Sequence, residues 1–214
     1  MQAETSIHAD DQERRSFIER ARRTQIVSCA IDTIATLGYA QASLAQIARR
    51  AGISKGVISY HFAGKEELIR EVLASVFTAG AEFMVPKLRA ETSAAGALRA
   101  YIESNLAFMH ANRNSLLAVV EIVSHFRVGD AGPRLVVTML ESAVTDLERI
   151  LRWGQETGEF REFSTRVMAT AIRNAIDGVP PQLVADATLD VEAYAQELAT
   201  LFQLATRKER LEKG

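Results

Sequence analysis

The sequence predicts an all-α protein, and three observations support that fold class. Apolar residues recur at helical spacing along most of the 214 residues, and no stretch alternates apolar and polar residues as a half-buried strand does. Only 4 prolines are present and aromatic residues make up 7% of the chain, as suits a helical protein. Breaks rich in Gly, Asn, Asp or Pro separate the periodic segments. We therefore predict about nine helices, with three at the N-terminal end forming a small head and the others a helical body.

Two short helices joined by a tight turn are predicted between Ser43 and Phe62. Ser43 is a favourable N-cap, and Gln46 completes a capping box. Gly52 suits the left-handed conformation that ends a helix, and Ser54 is a second N-cap. The apolar stripe of the first helix consists of Leu44, Ile47, Ala48 and Ala51, and Ile58 and Phe62 face inward from the second.

The outward face of the second helix is polar. We call it the recognition face, and it consists of Lys55, Gly56, Val57, Ser59, Tyr60 and His61. These groups suit phosphate oxygens, base edges and a thymine methyl group. A helix-turn-helix presents such a face to the DNA major groove. The alternative is a plain helical hairpin inside a bundle. The two caps, the glycine and the polar face together favour the helix-turn-helix.

The same residues carry a resemblance to a known family. The segment AGISKGVISYHF from Ala51 to Phe62, followed by GKEEL from Gly64 to Leu68, closely resembles the DNA-binding motif of the TetR family of transcriptional regulators. Gly38-Tyr39 matches as well. The resemblance is specific over about 22–73 and architectural beyond it. Many members have Tyr where this chain has Ser59, so the base contacted there cannot be transferred from other members.

The resemblance implies a DNA-binding head, a ligand-binding body and a homodimer. It places the end of the first helix near DNA, which adds Arg22 from the basic run 14–23, although a solvated charge cluster is the alternative. The caps Ser43 and Ser54 join the DNA-binding set. Lys65 joins it too, because a cation in the first turn of a helix opposes the helix dipole unless a phosphate lies nearby.

Charge is distributed unevenly along the chain. The formal net charge is −2, but residues 14–75 contain ten Lys or Arg against five Asp or Glu. Residues 1–13 contain four acidic residues and no Lys or Arg, and are predicted to be a mobile arm. We therefore divide the chain into an arm (1–13), a DNA-binding head (14–75) and a body for ligand binding and dimerisation (76–214).

The predicted body is entirely helical. A helix from Lys65 is expected to end at Pro86 and to link the head to the body. Five more helices are predicted at 93–111, 114–127, 133–157, 164–184 and 189–209. Pro180-Pro181 should kink or end the fourth of these.

A pocket for a small, largely apolar molecule is predicted in the body. The candidate ligand-binding residues are Phe83, Tyr101, Asn105, Phe108, Glu121, His125, Trp153 and Asn174. They combine apolar walls with a few polar anchors, as small-molecule sites do. For each residue ordinary core packing is the alternative. Glu121 and His125 share a helix face, and a local hydrogen-bonded pair is the alternative for them.

The last two long helices carry surplus apolar surface. The predicted dimer interface consists of Val167, Ala171, Ala175, Gly178, Tyr194, Leu198, Leu201 and Phe202. Small residues let helices approach closely, and the resemblance implies that these two helices pair with their copies. The alternative is burial within one chain.

Other classes of function find little support in the sequence. No catalytic motif, Gly-rich phosphate loop or metal-ligand spacing is present, so we predict neither an enzyme nor a cofactor or metal site. The two rivals are a helical enzyme or carrier, and an interaction module whose recognition face meets protein. No apolar run reaches membrane-spanning length and the N-terminus lacks a signal-peptide core, so cytoplasmic residence is expected. The resemblance to the TetR family implies that the protein is a repressor.

Overall fold

A computed structural model describes residues 2–125, 131–186 and 188–208, with side chains described for 16–125, 136–186 and 188–208. The described residues form ten helices. They are α1 Gln2–Leu37, α2 Leu44–Ala51, α3 Lys55–His61, α4 Lys65–Ala90, α5 Ala94–Ala111, α6 Arg113–Ser124, α7 Ala131–Glu156, α8 Thr165–Asp177, α9 Val179–Ala185 and α10 Val191–Thr206. The predicted all-α class is confirmed.

The count of about nine helices agrees with the structure once the predicted kink is included. Gly178 separates α8 from α9, and Pro180 and Pro181 lie in the first turn of α9. Proline is tolerated there because the first N–H groups of a helix have no intrahelical partner. The single segment predicted at 164–184 is therefore two helices.

The predicted end of α4 at Pro86 is wrong. The helix continues through Pro86 to Ala90. Pro86 has no N–H, so the Glu82 carbonyl loses its intrahelical partner, and both residues are exposed. A proline costs least where water can replace the missing bond.

α1 as the structure has it includes positions 2–13, for which the sequence predicts a mobile arm. The side chains of that stretch lie outside the described residues. The division into arm, head and body stays a prediction.

Two hydrophobic clusters organise the packing. The head cluster is centred on buried residues of α1 to α4, namely Ile26, Ala30, Ile34, Ile47, Ile58, Phe62, Leu68, Val72 and Leu73. Ala118 and Ile122 of α6 and Val136 of α7 also belong to it. The body cluster joins α5, α7, α8, α9 and α10 around Leu98, Ile102, Leu147, Ile172 and Ile176. Because α1 packs along α6, the head cluster extends into the predicted body.

Candidate nucleic-acid interface and effector region

The turn between α2 and α3 has the geometry that its local sequence predicts. Ser43 Oγ accepts a hydrogen bond from Gln46 N at 3.2 Å, and Ser54 Oγ accepts one from Val57 N at 3.3 Å. Gly52 is left-handed, with φ 67°. The reciprocal half of the predicted capping box is not formed, because Ser43 N–H donates to the Gln41 carbonyl at 2.8 Å. Both helix starts are nevertheless capped.

α3 buries one side and presents the recognition face on the other. Ile58 is fully buried and Phe62 closes the helix against the head cluster. Lys55, Gly56 and Ser59 are exposed, and Tyr60 is 75% exposed. Val57 and His61 are half-buried. Four of the six residues are therefore exposed to solvent. Their contact with DNA stays a prediction.

Arg23 anchors α3. In the sequence it stands out only as part of the basic run 14–23, and not as a site residue. Its Nη1 donates to the His61 carbonyl and its Nη2 to Glu71 Oε2 at 3.2 Å. The guanidinium also lies 4.2 Å from the centre of the Phe62 ring. One arginine of α1 therefore joins the end of α3 to α4, and it holds the recognition face in place instead of extending toward a phosphate.

Arg22, which belongs to the predicted DNA-binding set, makes one hydrogen bond among the described side chains, and it is local. Its Nη1 donates to Gln25 Oε1 at 2.6 Å within α1. One turn earlier in the same helix, Glu19 Oε1 accepts a hydrogen bond from Tyr60 OH at 3.5 Å. The first helix therefore runs beside the recognition face.

Lys65 is turned toward the loop that follows α1. Its Nζ donates to the Tyr39 carbonyl at 2.7 Å and lies 4.2 Å from the centre of the Tyr39 ring. Burial lowers the pKa of this ammonium. Glu67 Oε2 accepts from Ala63 N at 2.7 Å and supplies negative charge at the start of α4. The conflict between Lys65 and the helix dipole is therefore relieved within the chain.

Tyr101 and Asn105, two of the predicted ligand residues, lie together in the body with a partner that the sequence did not single out. Arg173 of α8 is only 7% exposed, and its Nη1 donates to Tyr101 OH at 3.3 Å and to Asn105 Oδ1 at 3.1 Å. Burial opposes its charge, but Tyr101 and Asp177 hold the pKa of Arg173 above its ordinary value. Burial also raises the pKa of Tyr101.

Asp177 holds the other side of the same guanidinium. Its two carboxylate oxygens accept bonds from Arg173 Nε at 3.0 Å and Nη2 at 2.7 Å. The spacing of Arg173 and Asp177, one helical turn apart, is the sequence signal that could have revealed this pair.

The other predicted ligand residues do not gather around Tyr101 and Asn105. Phe83 is 36% exposed and packs beside Phe108, with ring centres 5.8 Å apart, on the outer side of α4 and α5. Trp153 is half-buried against the body cluster. Asn174 is exposed because it lies on the face of α8 opposite Ile172 and Ile176. Asn174 therefore does not point into the body cluster of the single chain, and its role in ligand binding stays a prediction.

Glu121 and His125 lie where the head meets the body. Glu121 Oε2 accepts a bond from Tyr39 N at 3.1 Å, and the Tyr39 and His125 rings are 5.3 Å apart. His125 Nδ1 is 2.8 Å from the Glu121 carbonyl oxygen. The pair therefore contacts the loop after α1 and is separate from the network around Arg173.

A surface pocket of about 250 Å³ lies elsewhere, between the start of α5 and the end of α10. It is lined by Ala95, Glu159, Phe160, Thr200, Gln203, Leu204 and Arg207. None of the predicted ligand residues lines it. Glu159 also caps α5, because its two carboxylate oxygens accept bonds from Ala94 N and Ala95 N at 3.0 Å each.

Most of the predicted dimer residues are accessible in the single chain. Val167, Ala171, Gly178 and Leu201 are exposed, and Ala175, Tyr194 and Leu198 are half-buried. Phe202 is the exception, since it is only 8% exposed and packs into the body cluster with Ala195 and Ala199. The inward face of α10 passes through Phe202, while the neighbouring Leu201 points outward. The assignment of Phe202 to the interface stays a prediction, which its burial in the single chain disfavours.

In the part of the chain that the structure describes, no cluster of three or more His, Cys, Asp or Glu residues has the arrangement of a metal site. Within those same limits, none of the helices is long and apolar enough to span a membrane.

Comparison with known proteins begins with a family model. The model for bacterial regulatory proteins of the tetR family matches residues 26–72, which include α2 and α3. The chain is 40% identical over 55 residues to the HTH-type transcriptional regulator BetI 1 of Chromohalobacter salexigens, covering 26% of this chain and 27% of that protein. It is 35% identical over 86 residues to BetI of Cronobacter sakazakii, covering 39% and 43%. The chain thus matches less than half the length of these relatives.

Solved structures extend the similarity to the whole fold. FadR from Bacillus subtilis in complex with stearoyl-CoA superposes with a TM-score of 0.76 at 22% identity, covering 84% of this chain and 96% of that chain. A transcriptional regulator from Saccharomonospora viridis in complex with choline superposes with a TM-score of 0.79 at 21% identity, covering 89% and 100%. At these identities the similarity establishes the fold, a helix-turn-helix head followed by a helical body.

Proposed function

This chain belongs to the TetR family of bacterial regulatory proteins, and from that premise we propose that it is a homodimeric DNA-binding regulator released from its operator by a small molecule. We further propose that it acts as a repressor in the cytoplasm. The proposal assigns it no catalytic activity and no cofactor.

The recognition face is the observation that carries this proposal. A helix capped at Ser54 exposes a cation at Lys55, a hydroxyl at Ser59 and a phenol at Tyr60, while its other side is fully buried. Such a face can donate and accept hydrogen bonds at base edges and phosphates. The buried side and the Arg23 anchor hold it rigidly, which favours recognition in a major groove. An interaction module would instead expose apolar residues there.

The outward faces of α8 and α10 support the dimer. Val167 of α8 is 68% exposed and Leu201 of α10 is 58% exposed, and the small residues Ala171 and Gly178 allow a second helix to approach closely. Two chains related by a two-fold axis would present two recognition faces to successive major grooves. Their operator would then be a pseudo-palindrome.

The connection between head and body supports release by a ligand. α4 packs against both α1 and α5, and Glu121 of α6 binds the loop after α1 through Tyr39 N. A ligand that binds one arrangement of the body helices better than another would change the separation of the two heads. Loss of register with the two half-sites would release the DNA.

The test is selection of bound sequences from random double-stranded DNA, followed by mobility shift on the selected site. We expect a pseudo-palindromic site that the parent binds and that Tyr60→Ala binds much more weakly. Arg152→Ala, which removes an exposed charge of α7 in the body, is the matched control and should bind normally. Selection of no consensus sequence, or equal binding by the Tyr60 variant, would show that the recognition face does not read DNA.

A further inference from the structure

A guanidinium lies inside the body cluster, where most neighbours are apolar. Arg173 is 7% exposed and sits between Ile172 and Ile176 in a helix whose inward side is otherwise hydrophobic. An arginine is almost never fully buried unless it is paired. Its presence there needs a reason other than filling space.

Stability is a poor reason for a buried ion pair. Removing two charges from water is costly, and well-packed apolar residues of similar volume often stabilise a fold more. Charged groups held in apolar surroundings with specific partners are common at functional sites. The arrangement of the partners around Arg173 points to which function this is.

The partners divide into a fixed side and a replaceable side. Nη1 is held by Tyr101 and Asn105 of α5, and Asn105 Nδ2 itself donates to the Tyr101 carbonyl at 2.8 Å. Nε and Nη2 form the planar fork that a carboxylate fills, and Asp177 fills it. The Asp177 side chain is 39% exposed, so this side of the guanidinium opens toward solvent.

Asp177 is also poorly placed as a permanent partner. It is the last residue of α8, and a negative charge at the C-terminal end of a helix is disfavoured by the helix dipole. It precedes the break at Gly178, where the chain turns into α9. A competing carboxylate would displace the Asp177 side chain from the guanidinium into solvent, where water hydrates it.

We propose that Arg173, Tyr101 and Asn105 form the binding site for the carboxylate of the effector, an apolar monocarboxylic acid whose head group replaces Asp177 on the guanidinium fork. This inference rests on the proposed function and specifies the chemical class of its ligand. The buried cation disfavours a quaternary ammonium ligand at this site.

The surroundings suit the apolar remainder of such an acid. Met109 and Met168 are half-buried against the body cluster, to which Tyr101 belongs. Methionine side chains are unbranched and adaptable, so they can move aside for an alkyl or aryl group at low cost. Displacement of Asp177 would act next to Gly178, in the proposed dimer face, and would thereby connect ligand binding to the positions of the two heads.

The test compares ligands that differ only in the head group. Straight-chain carboxylates from butanoate to hexadecanoate, the matching primary alcohols and the matching alkyltrimethylammonium ions are titrated into the full chain, with isothermal titration calorimetry as the readout. We expect at least one carboxylate to bind about tenfold to a hundredfold more tightly than its alcohol, as charge-assisted hydrogen bonds allow, and the ammonium ion not to bind.

Two variants of the pair should act in opposite directions. Arg173→Met should weaken carboxylate binding to the level of the alcohol, whereas Asp177→Asn should strengthen it by about tenfold because the competing charge is gone. Arg166→Met, which removes an exposed arginine of the same helix paired with Glu141, is the matched control and should not change binding. A merely structural ion pair would instead make Asp177→Asn unfold more easily without any gain in affinity.

The proposal is overturned if no carboxylate of the series binds more tightly than its alcohol, or if Asp177→Asn fails to strengthen binding. Both results can be obtained even if Arg173→Met does not fold. Mobility shift on the selected operator separates this proposal from the previous one. If the parent binds that DNA but ignores every carboxylate, the regulator stands and only the effector class is wrong.

Discussion

The backbone N–H of Tyr39 donates to Glu121 Oε2 at 3.1 Å, so a carboxylate of α6 holds the loop that separates α1 from α2. The two residues are 82 positions apart in the chain. Besides packing of apolar residues, this bond joins the helix-turn-helix to the body. A movement of α6 would therefore be transmitted directly to the loop after α1 in the head.

Glu121→Ala should therefore change DNA affinity even without effector. Its removal leaves Tyr39 N without this acceptor and loosens the loop beside Lys65. We expect a change of about threefold to tenfold in operator affinity, equivalent to about 1 kcal/mol. Mobility shift without added ligand measures it, with Glu141→Ala as the exposed-glutamate control. Unchanged affinity would mean that the bond does not couple head and body.

Gly38→Ala should destabilise the protein more than Gly158→Ala. Both glycines are left-handed, with φ 78° and 73°, so both substitutions carry a similar backbone cost of about 1–2 kcal/mol. A Cβ at Gly38 would also meet Glu121 Oε2 at 3.2 Å, whereas none of the described residues has an atom within 4 Å of one at Gly158. Urea unfolding of the two variants measures the difference. Equal losses would show that Glu121 adjusts freely.

DNA affinity should fall steeply with salt, and Lys55 should account for part of the slope. If its exposed ammonium contacts a phosphate, Lys55→Ala reduces the slope of log affinity against log salt by about 1. Arg23→Ala should instead lower the free energy of unfolding, because Arg23 holds His61, Glu71 and Phe62 within the head. Titrations at several salt concentrations, with thermal melts alongside, distinguish the two. A flat salt dependence in the parent would contradict the electrostatic account.

Substitutions on the recognition face should differ from Lys65→Ala in their effect on DNA sequence preference. Val57 and Ser59 variants should prefer different operator sequences, whereas Lys65→Ala should weaken binding about equally on all sequences. Lys65 holds the Tyr39 carbonyl, so its loss disturbs the whole head without changing the groups that face the bases. Operator selection with each variant decides this. If the Val57 and Ser59 variants select the parental sequence, another face contacts the bases.

Ala171→Arg should give a folded monomer. Ala171 is exposed in the single chain, so the substitution leaves the body cluster intact and places a charge in the proposed dimer interface. Ala81→Arg, at an exposed alanine of α4, is the matched control and should remain dimeric. Light scattering together with circular dichroism reports mass and fold. A folded Ala171→Arg dimer would place the interface elsewhere.

Glu159 should stabilise the fold in a pH-dependent way. Burial alone would raise the pKa of the Glu159 carboxyl. Hydrogen bonds from the amides of Ala95 and Ala94 and from the Thr157 hydroxyl outweigh burial, so the pKa lies below its usual value. A lowered folded-state pKa gives stability that is present above the unfolded-state pKa and is lost as the pH falls through the folded-state value. At neutral pH, Glu159→Gln should cost about 1 kcal/mol, as loss of a helix cap does. Unfolding measured at pH 7 and in acid should show the difference shrinking; an undiminished difference in acid would exclude the charge as its cause.

Much of the helix-turn-helix could be predicted from the sequence because its signals are local. Ser43, Gly52 and Ser54 act on backbone groups within a few positions of themselves, so spacing alone predicts both helix starts and the turn. The same spacing predicts the polar recognition face of α3, because Ile58 and Phe62 define the opposite, buried side.

The tertiary structure decided which side chains meet across the chain. Local spacing pairs Glu121 with His125, but only folding brings Tyr39 to them, and only folding puts Arg173 against Tyr101, 72 positions away. Likewise, Leu201 and Phe202 are both apolar neighbours on α10, and packing against α5 buries one and exposes the other. Helical periodicity states which residues share a face, whereas the contacts of that face depend on how distant helices pack, and no local pattern contains that information.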